Sequence, residues 1–103
     1  MPVAFIQEFP IVDRSTANYD AVDDRLSENR EKPDGLLLHF AGFDDDAGVF
    51  RIVNVWETRE QGQAYHDEHV MPAVREVVGE SGGTPPARDG SYELHRVYGA
   101  HNG

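Results

Sequence analysis

The sequence predicts an α+β domain of order β-α-β-β-α-β, and three observations carry that prediction. The stretch Gly48–Thr58, GVFRIVNVWET, is rich in β-branched and aromatic residues, as suits a strand. It is apolar on both alternating faces, with Phe50, Ile52 and Trp56 on one and Val49, Val53 and Val55 on the other. A strand with one wet face would alternate apolar with polar, so this one is covered on both sides. Finally, it passes directly into a helical pattern, and a strand-then-helix unit of the same kind opens the chain.

Taken in order, Val3–Phe9 reads as the first strand, with Val3, Phe5 and Phe9 on one side and Ala4 and Ile6 on the other; Pro10 and Asp13 end it. Ser15 is placed to cap a helix from Thr16 to Asn29, whose positions Tyr19, Val22 and Leu26 form one apolar face. Asp20, Asp23, Asp24 and Glu28 fall elsewhere and read as a solvated surface. Lys32-Pro33-Asp34-Gly35 is a turn, Leu36–Phe43 a second strand apolar on both faces, and Asp44–Gly48 an acidic hairpin turn. The second helix carries Tyr65, His66 and His69, is kinked or restarted where Pro72 lacks a backbone donor, and stops at Gly79. Residues 79–90 read as a flexible loop, and Ser91–Gly99 as a fourth strand that holds His95 on its surface. Two right-handed crossovers in this order give a four-stranded antiparallel sheet with both helices on one face, the ferredoxin-like arrangement.

At 103 residues the whole chain, 1–103, forms one domain. Nine Lys and Arg against 19 Asp and Glu leave a formal charge of −10 and a pI of about 4.7. A field of that sign repels phosphate backbones and anionic lipid heads, so neither nucleic acid nor a membrane is an expected partner. The absence of cysteine excludes disulfides, thiolate nucleophiles and thiolate-held iron. The first ten residues lack a basic region and their apolar run is broken by Gln7 and Glu8, so no signal peptide is expected; no run is long enough to span a bilayer, and a cytoplasmic location is the expectation.

Two helices cover one face of a sheet whose second and third strands are apolar on both. A bare apolar face of several hundred Å² is rare on a soluble monomer, so a second copy of the chain is expected to cover it. The alternative is that the C-terminal segment folds over that face.

Three segments, PDGLLLHFAG at Pro33–Gly42, VNVWET at Val53–Thr58 and HVMPAV at His69–Val74, resemble the dimeric α/β-barrel superfamily, and within it a bacterial branch of antibiotic-biosynthesis-monooxygenase-like proteins. The resemblance covers residues 3–78, and the last strand by topology only. It implies two sheets packed face to face in a homodimer, a ligand pocket between each sheet and its helices, and chemistry such as cofactor-independent oxygenation of aromatic polyketides, haem degradation, cyclisation or isomerisation. The haem-degrading members resemble this chain in the Val-Trp segment, then carry an aromatic residue nine positions on and an iron-ligating His ten further. Here those positions are Tyr65 and Arg75, and arginine cannot ligate iron, so haem degradation is disfavoured.

His39 stands in an otherwise apolar strand. Tight pairing around the acidic turn would set it beside Ile52, with Asn54 and Trp56 on the same side. If that side faces the helices, Trp56 stacks on a planar ligand, Asn54 orients a carbonyl and stabilises a developing oxyanion, and His39 moves a proton; Phe50 and Tyr65 add aromatic surface. His69 is the second candidate acid–base group, facing the pocket or the Pro72 kink, with His66 in solvent. The bland reading of His39 is an imidazole hydrogen-bonded inside the dimer barrel or at its rim, and of Tyr65 plain core. The HDEH run at His66–His69 has the wrong spacing for a metalloprotease helix and no third ligand, so no metal is expected. Gly79–Gly83 fits G-x-S-x-G, but a helix precedes its serine where a nucleophile elbow needs a strand. No phosphate-cradling glycine loop suggests a nucleotide or flavin, so no cofactor is expected. A cofactor-independent monooxygenase or cyclase on a small aromatic molecule is the expectation; a non-catalytic ligand-binding or assembly module of the same fold is the alternative.

Overall fold

The computed structural model describes residues 1–26, 33–79 and 86–97. The strands are β1 (Val3–Pro10), β2 (Leu36–Asp44), β3 (Val49–Trp56) and β4 (Arg88–Glu93), in a sheet of order β2-β3-β1-β4 with every neighbouring pair antiparallel. The helices are α1 (Ala17–Leu26), after β1, and α2 (Arg59–Tyr65), which runs through a π turn (His66–Val70) into α3 (Met71–Val78). This is the ferredoxin-like α+β arrangement expected from the sequence.

The starts of α1 and α2 carry side-chain caps, whereas α3 continues from the π turn without one. Ser15 Oγ accepts the Ala17 N–H at 3.3 Å, and Thr58 Oγ1 accepts the Gln61 N–H at 3.1 Å, the latter in the Thr-x-x-Gln spacing of a capping box. The expected helix end at 27–29, Lys32 of the expected turn, Ser81 and its neighbours, and Tyr98 and Gly99 of the expected fourth strand lie outside the described residues. Pro33 O accepts the Leu36 N–H at 3.1 Å, and Gly35, at φ +88, makes the turn between them.

Two boundaries differ from the sequence reading. β4 begins at Arg88 and ends at Glu93, three residues early at its start, because Asp89 and Gly90 pair with Gln7 and Ile6 despite their turn-like composition. The chain then bends, so exposed His95 lies past the strand. The hairpin turn holds four residues, Asp45–Gly48, with Gly48 at φ +71, so pairing starts at Asp44–Val49 and His39 stands opposite Asn54, with Ala41 opposite Ile52. The offset is two residues. Side chains alternate with period two, so His39, Asn54 and Trp56 still share a face.

That face carries the helices. The opposite face holds the buried cluster Ala4, Ile6, Val53 and Val55, with Leu37, Leu94 and Val97 packed against it. Leu37 reaches it through a bulge between Leu36 and Leu38. The segment after β4 thus covers part of the face that the sequence left bare, pinned where Pro2 O accepts the Leu94 N–H at 2.8 Å. Leu38, Phe40 and Tyr92 remain exposed there. At one end of the face Arg51 bridges Glu8 (2.7 Å) and Asp44 (2.8 Å), which raises the guanidinium pKa through its hydrogen bonds to Glu8 and Asp44 and lowers that of Asp44 through its hydrogen bond to Arg51.

Close approach of α2 to the sheet depends on Gly62, which is buried; a Cβ there would run into the Phe5 ring and lie 2.8 Å from Trp56 Cδ1. Gly62→Ala is therefore expected to destabilise the fold by about 1–3 kcal/mol through overpacking, more than the ~1 kcal/mol that alanine gains in a helix. Urea denaturation checks this: a midpoint at or above that of the parent would contradict the packing.

Candidate ligand cavity and its histidine

A cavity of about 950 Å³ lies between the helix-facing side of the sheet and the helices, within the range of small-molecule sites. Phe5, Gln7 and Phe9 of β1, His39 and Phe43 of β2, Phe50, Ile52, Asn54 and Trp56 of β3, and Tyr19 and Val22 of α1 all line it. The second helical unit contributes Gly62, Tyr65, His66, Val70, Val74 and Val78.

The aromatic residues form two groups. At one end, Trp56 and Tyr65 have ring centroids 5.3 Å apart; Trp56 is only 4% exposed and backs the cavity beside Gly62. At the other, Phe43 and Phe50 lie 4.9 Å apart and the Tyr19 ring meets Phe50 edge-on at 5.4 Å. Between them stands a polar chain. Asn54 Oδ1 is 2.5 Å from His39 Nδ1, and the Tyr19 hydroxyl is 2.5 Å from His39 Nε2. With a carbonyl oxygen facing it, Nδ1 carries the proton and donates to Asn54; Nε2 is then the acceptor, taking the Tyr19 O–H. The Tyr19 ring lies edge to edge with the imidazole along this hydrogen bond, 4° from parallel and with ring centroids 6.1 Å apart.

Sequence reasoning placed Tyr19 only as one position of an apolar helical face. Its spacing with Val22 and Leu26 reports which way the side chain points, but no local signal reports that its hydroxyl meets a strand 20 residues on. Burial, helped by Asp23 and Asp20, raises the Tyr19 phenol above the usual value of about 10; burial and Asp23 do the same for Tyr65. Both phenols hold their protons at neutral pH. Their contribution to folding is complete below the unfolded-state value and is lost as pH rises through the raised folded-state values. Stability is thus expected to fall in alkali above pH 10, and the Tyr19→Phe, Tyr65→Phe double variant to show a shallower fall; equal slopes in urea titrations would contradict it.

The structure brings together His39, Asn54, Trp56, Tyr65 and Phe50 around one cavity, and leaves out His69. The expected positions of the two helical histidines are exchanged: His66 lines the cavity, while exposed His69 stacks against Tyr65 with ring centroids 5.0 Å apart. The π turn is the cause. Pro72 has no N–H for the Glu68 carbonyl, the Met71 N–H reaches back five residues to His66 O, and the wider turn changes the phase of the helix. Asn54 turns its carbonyl oxygen to His39, which leaves its NH₂ to donate to a ligand carbonyl. Among the described residues no group of three or more His, Asp and Glu converges to hold a metal ion. No described helix is long and apolar enough to cross a membrane.

Comparison with solved structures gives the fold class a wider setting. The chain has the fold of antibiotic-biosynthesis-monooxygenase-like proteins, matched over nearly its full length at low identity. It is similar to a protein from Chloroflexus aurantiacus J-10-fl provisionally named an antibiotic biosynthesis monooxygenase (18% identity, 97% of this chain and 99% of that one, TM-score 0.65). A provisionally so-named protein from Deinococcus radiodurans is 15% identical over 96% of this chain and 97% of its own, with TM-score 0.65. A mutant of SnoaB, a cofactor-independent oxygenase from Streptomyces nogalater, is 13% identical over 94% and 96%, with TM-score 0.63. No protein-family model and no curated protein matches the chain.

Proposed function

We propose that the cavity binds a planar, aromatic small molecule and that His39 acts in it as the base of a cofactor-independent oxygenation or ring closure. The single observation that carries this reading is the Tyr19–His39–Asn54 chain opening onto an aromatic-lined cavity of about 950 Å³. Asn54 fixes the tautomer that leaves Nε2 as acceptor, and the Tyr19 hydroxyl occupies the place of the ligand's acidic hydrogen. A ligand that displaces it gives its proton to Nε2, and the Nδ1–H bond to Asn54 steadies the imidazolium. The resulting enolate is flanked by the Asn54 NH₂ and lies against Tyr65, with Trp56 packed behind that ring. Carbon–oxygen bond formation with O₂ then yields a peroxide anion, the imidazolium returns its proton to it, and the hydroperoxide loses the remaining hydrogen on that carbon as water to leave a ketone, the substrate itself supplying the electrons. SnoaB, which has the same fold, is a cofactor-independent oxygenase. His69 has no part in this scheme, and a homodimer formed through the uncovered sheet face completes the proposed assembly.

A second reading rests on one observation: both His39 nitrogens already have partners, as a structural histidine would. In that case the protein binds its ligand without transforming it. Anthrone, an enolisable three-ring ketone, separates the two. Chelator-treated protein is expected to accelerate oxygen uptake with anthrone and yield anthraquinone. Quenching of Trp56 emission with no gain in oxygen uptake would leave the binding module standing and remove the oxygenase.

A further inference from the structure

We propose that Arg14 is the anion-recognising end of this cavity, so that the ligand is an elongated aromatic molecule carrying a carboxylate or similar group roughly 13 Å from the atom that meets His39. The inference rests on the reading of the cavity as a small-molecule site and adds the charge and length of what enters it.

Among the described residues that line the cavity, Arg14 is the sole Lys or Arg. Its guanidinium carbon stands 4.4 Å from the centroid of Phe43, whose ring in turn packs on Phe50. Phe43 and His39 share a face of β2 four residues apart, which sets the separation of about 13 Å along an extended strand. Aromatic side chains fill the interval, so a flat multi-ring body between a reacting end and a charged end fits the lining.

The backbone holds this cation in place. Arg14 has φ +59, a left-handed conformation that is uncommon for a residue with a side chain. It sits between Asp13, whose carboxylate accepts the Ser15 N–H at 2.9 Å, and Ser15, which caps α1. Its present partner is Asp45 of the hairpin turn, 2.5 Å away, and the two side chains are 53% and 70% exposed. Such a pair is screened by water and contributes little, so a ligand carboxylate can take the place of Asp45 without stranding a charge. A guanidinium also suits the task because it can stack on a ring by its face and grip a carboxylate by its edge.

Charge elsewhere sharpens the point. The chain carries −10 overall, and Asp13, Asp23 and Asp89 also line the cavity, all of them exposed. An anion is repelled at every one of these positions and attracted at Arg14. A neutral aromatic ligand has no need of the guanidinium, and a cationic one would settle by Asp23 or Asp89, away from it.

Three probes of one shape provide the test: anthracene-2-carboxylate, anthracene-2-carboxamide and 2-(aminomethyl)anthracene, followed by quenching of Trp56, the one tryptophan of the chain. The carboxylate is expected to bind about tenfold or more tighter than the carboxamide. Arg14→Gln should erase that preference while leaving carboxamide binding, which also reports correct folding, within about twofold. Asp45→Asn should tighten the carboxylate by roughly threefold, since it removes the internal competitor. A preference unchanged in Arg14→Gln, tighter binding of the aminomethyl probe, or weaker carboxylate binding in Asp45→Asn would each overturn the proposal, the last by marking the pair as a structural latch. If no probe binds, the small-molecule reading of the cavity fails first and takes this inference with it.

Discussion

Replacing His39 with alanine is expected to lower anthrone oxygenation by about 10²–10⁴-fold, the range a positioned base contributes. The change in stability should be small by comparison. His39 is exposed to the open cavity, and its two hydrogen bonds, to Tyr19 and Asn54, join partly exposed groups that water can satisfy once the imidazole is gone. A loss of about 1 kcal/mol, a few degrees in melting temperature, is therefore expected. Asn54→Ala should act more weakly, by about 10–100-fold, because it removes the partner that sets the tautomer and leaves the base itself. Tyr19→Phe separates a placeholder from a participant: if the hydroxyl merely holds the place of the ligand's hydrogen, turnover stays within about tenfold of the parent. An unchanged rate in His39→Ala would take His39 out of the mechanism and leave the cavity a binding site.

The legibility of this site in the sequence follows what local pattern can encode. Alternation along β3 assigns Phe50, Ile52, Asn54 and Trp56 to one face and Val49, Val53 and Val55 to the other, and the structure has them so. Period two is a property of the chain itself and survives a register error. The acidic turn holds four residues, so His39 stands opposite Asn54 and not Ile52, and two neighbours on a face are a hydrogen-bonded pair. Tyr19 shows the opposite limit, since its hydroxyl meets His39 only through the packing of α1 on the sheet, and no local pattern carries that. His66 and His69 mark a third. A proline inside a helical run signals irregularity, but whether it appears as a kink, a break or a π turn decides which of two histidines three residues apart faces inward. The early start of β4 falls in the same category, because Arg88-Asp89-Gly90 pairs with β1 against its own turn-forming composition.

In dilute solution the protein is expected to run as a dimer of twice 11.5 kDa, and Phe40→Glu to return it to a single chain. Phe40 is 51% exposed, Tyr92 50% and Leu38 36%, all on the sheet face away from the helices and beside the buried cluster of Ala4, Ile6, Val53 and Val55. The segment with Leu94 and Val97 covers that cluster only in part. Large apolar side chains left together in water on a flat face mark an association surface, and two copies related by a twofold axis would bury both sets at once. The Arg51–Glu8–Asp44 group, at one end of the same face, gives it a polar border that limits how two sheets can register. A glutamate at position 40 would have to be buried without a partner, which costs several kcal/mol and weakens association by about 100-fold or more. The cavity lies on the other side of the sheet, so quenching of Trp56 by the anthracene probes should be unaffected and serves as the control for folding. Light scattering at micromolar concentration checks both parts. A parent protein that scatters as a lone 11.5 kDa chain would mean that Leu94 and Val97 shield this face sufficiently, and the paired-sheet assembly would be lost while the histidine and its cavity stood.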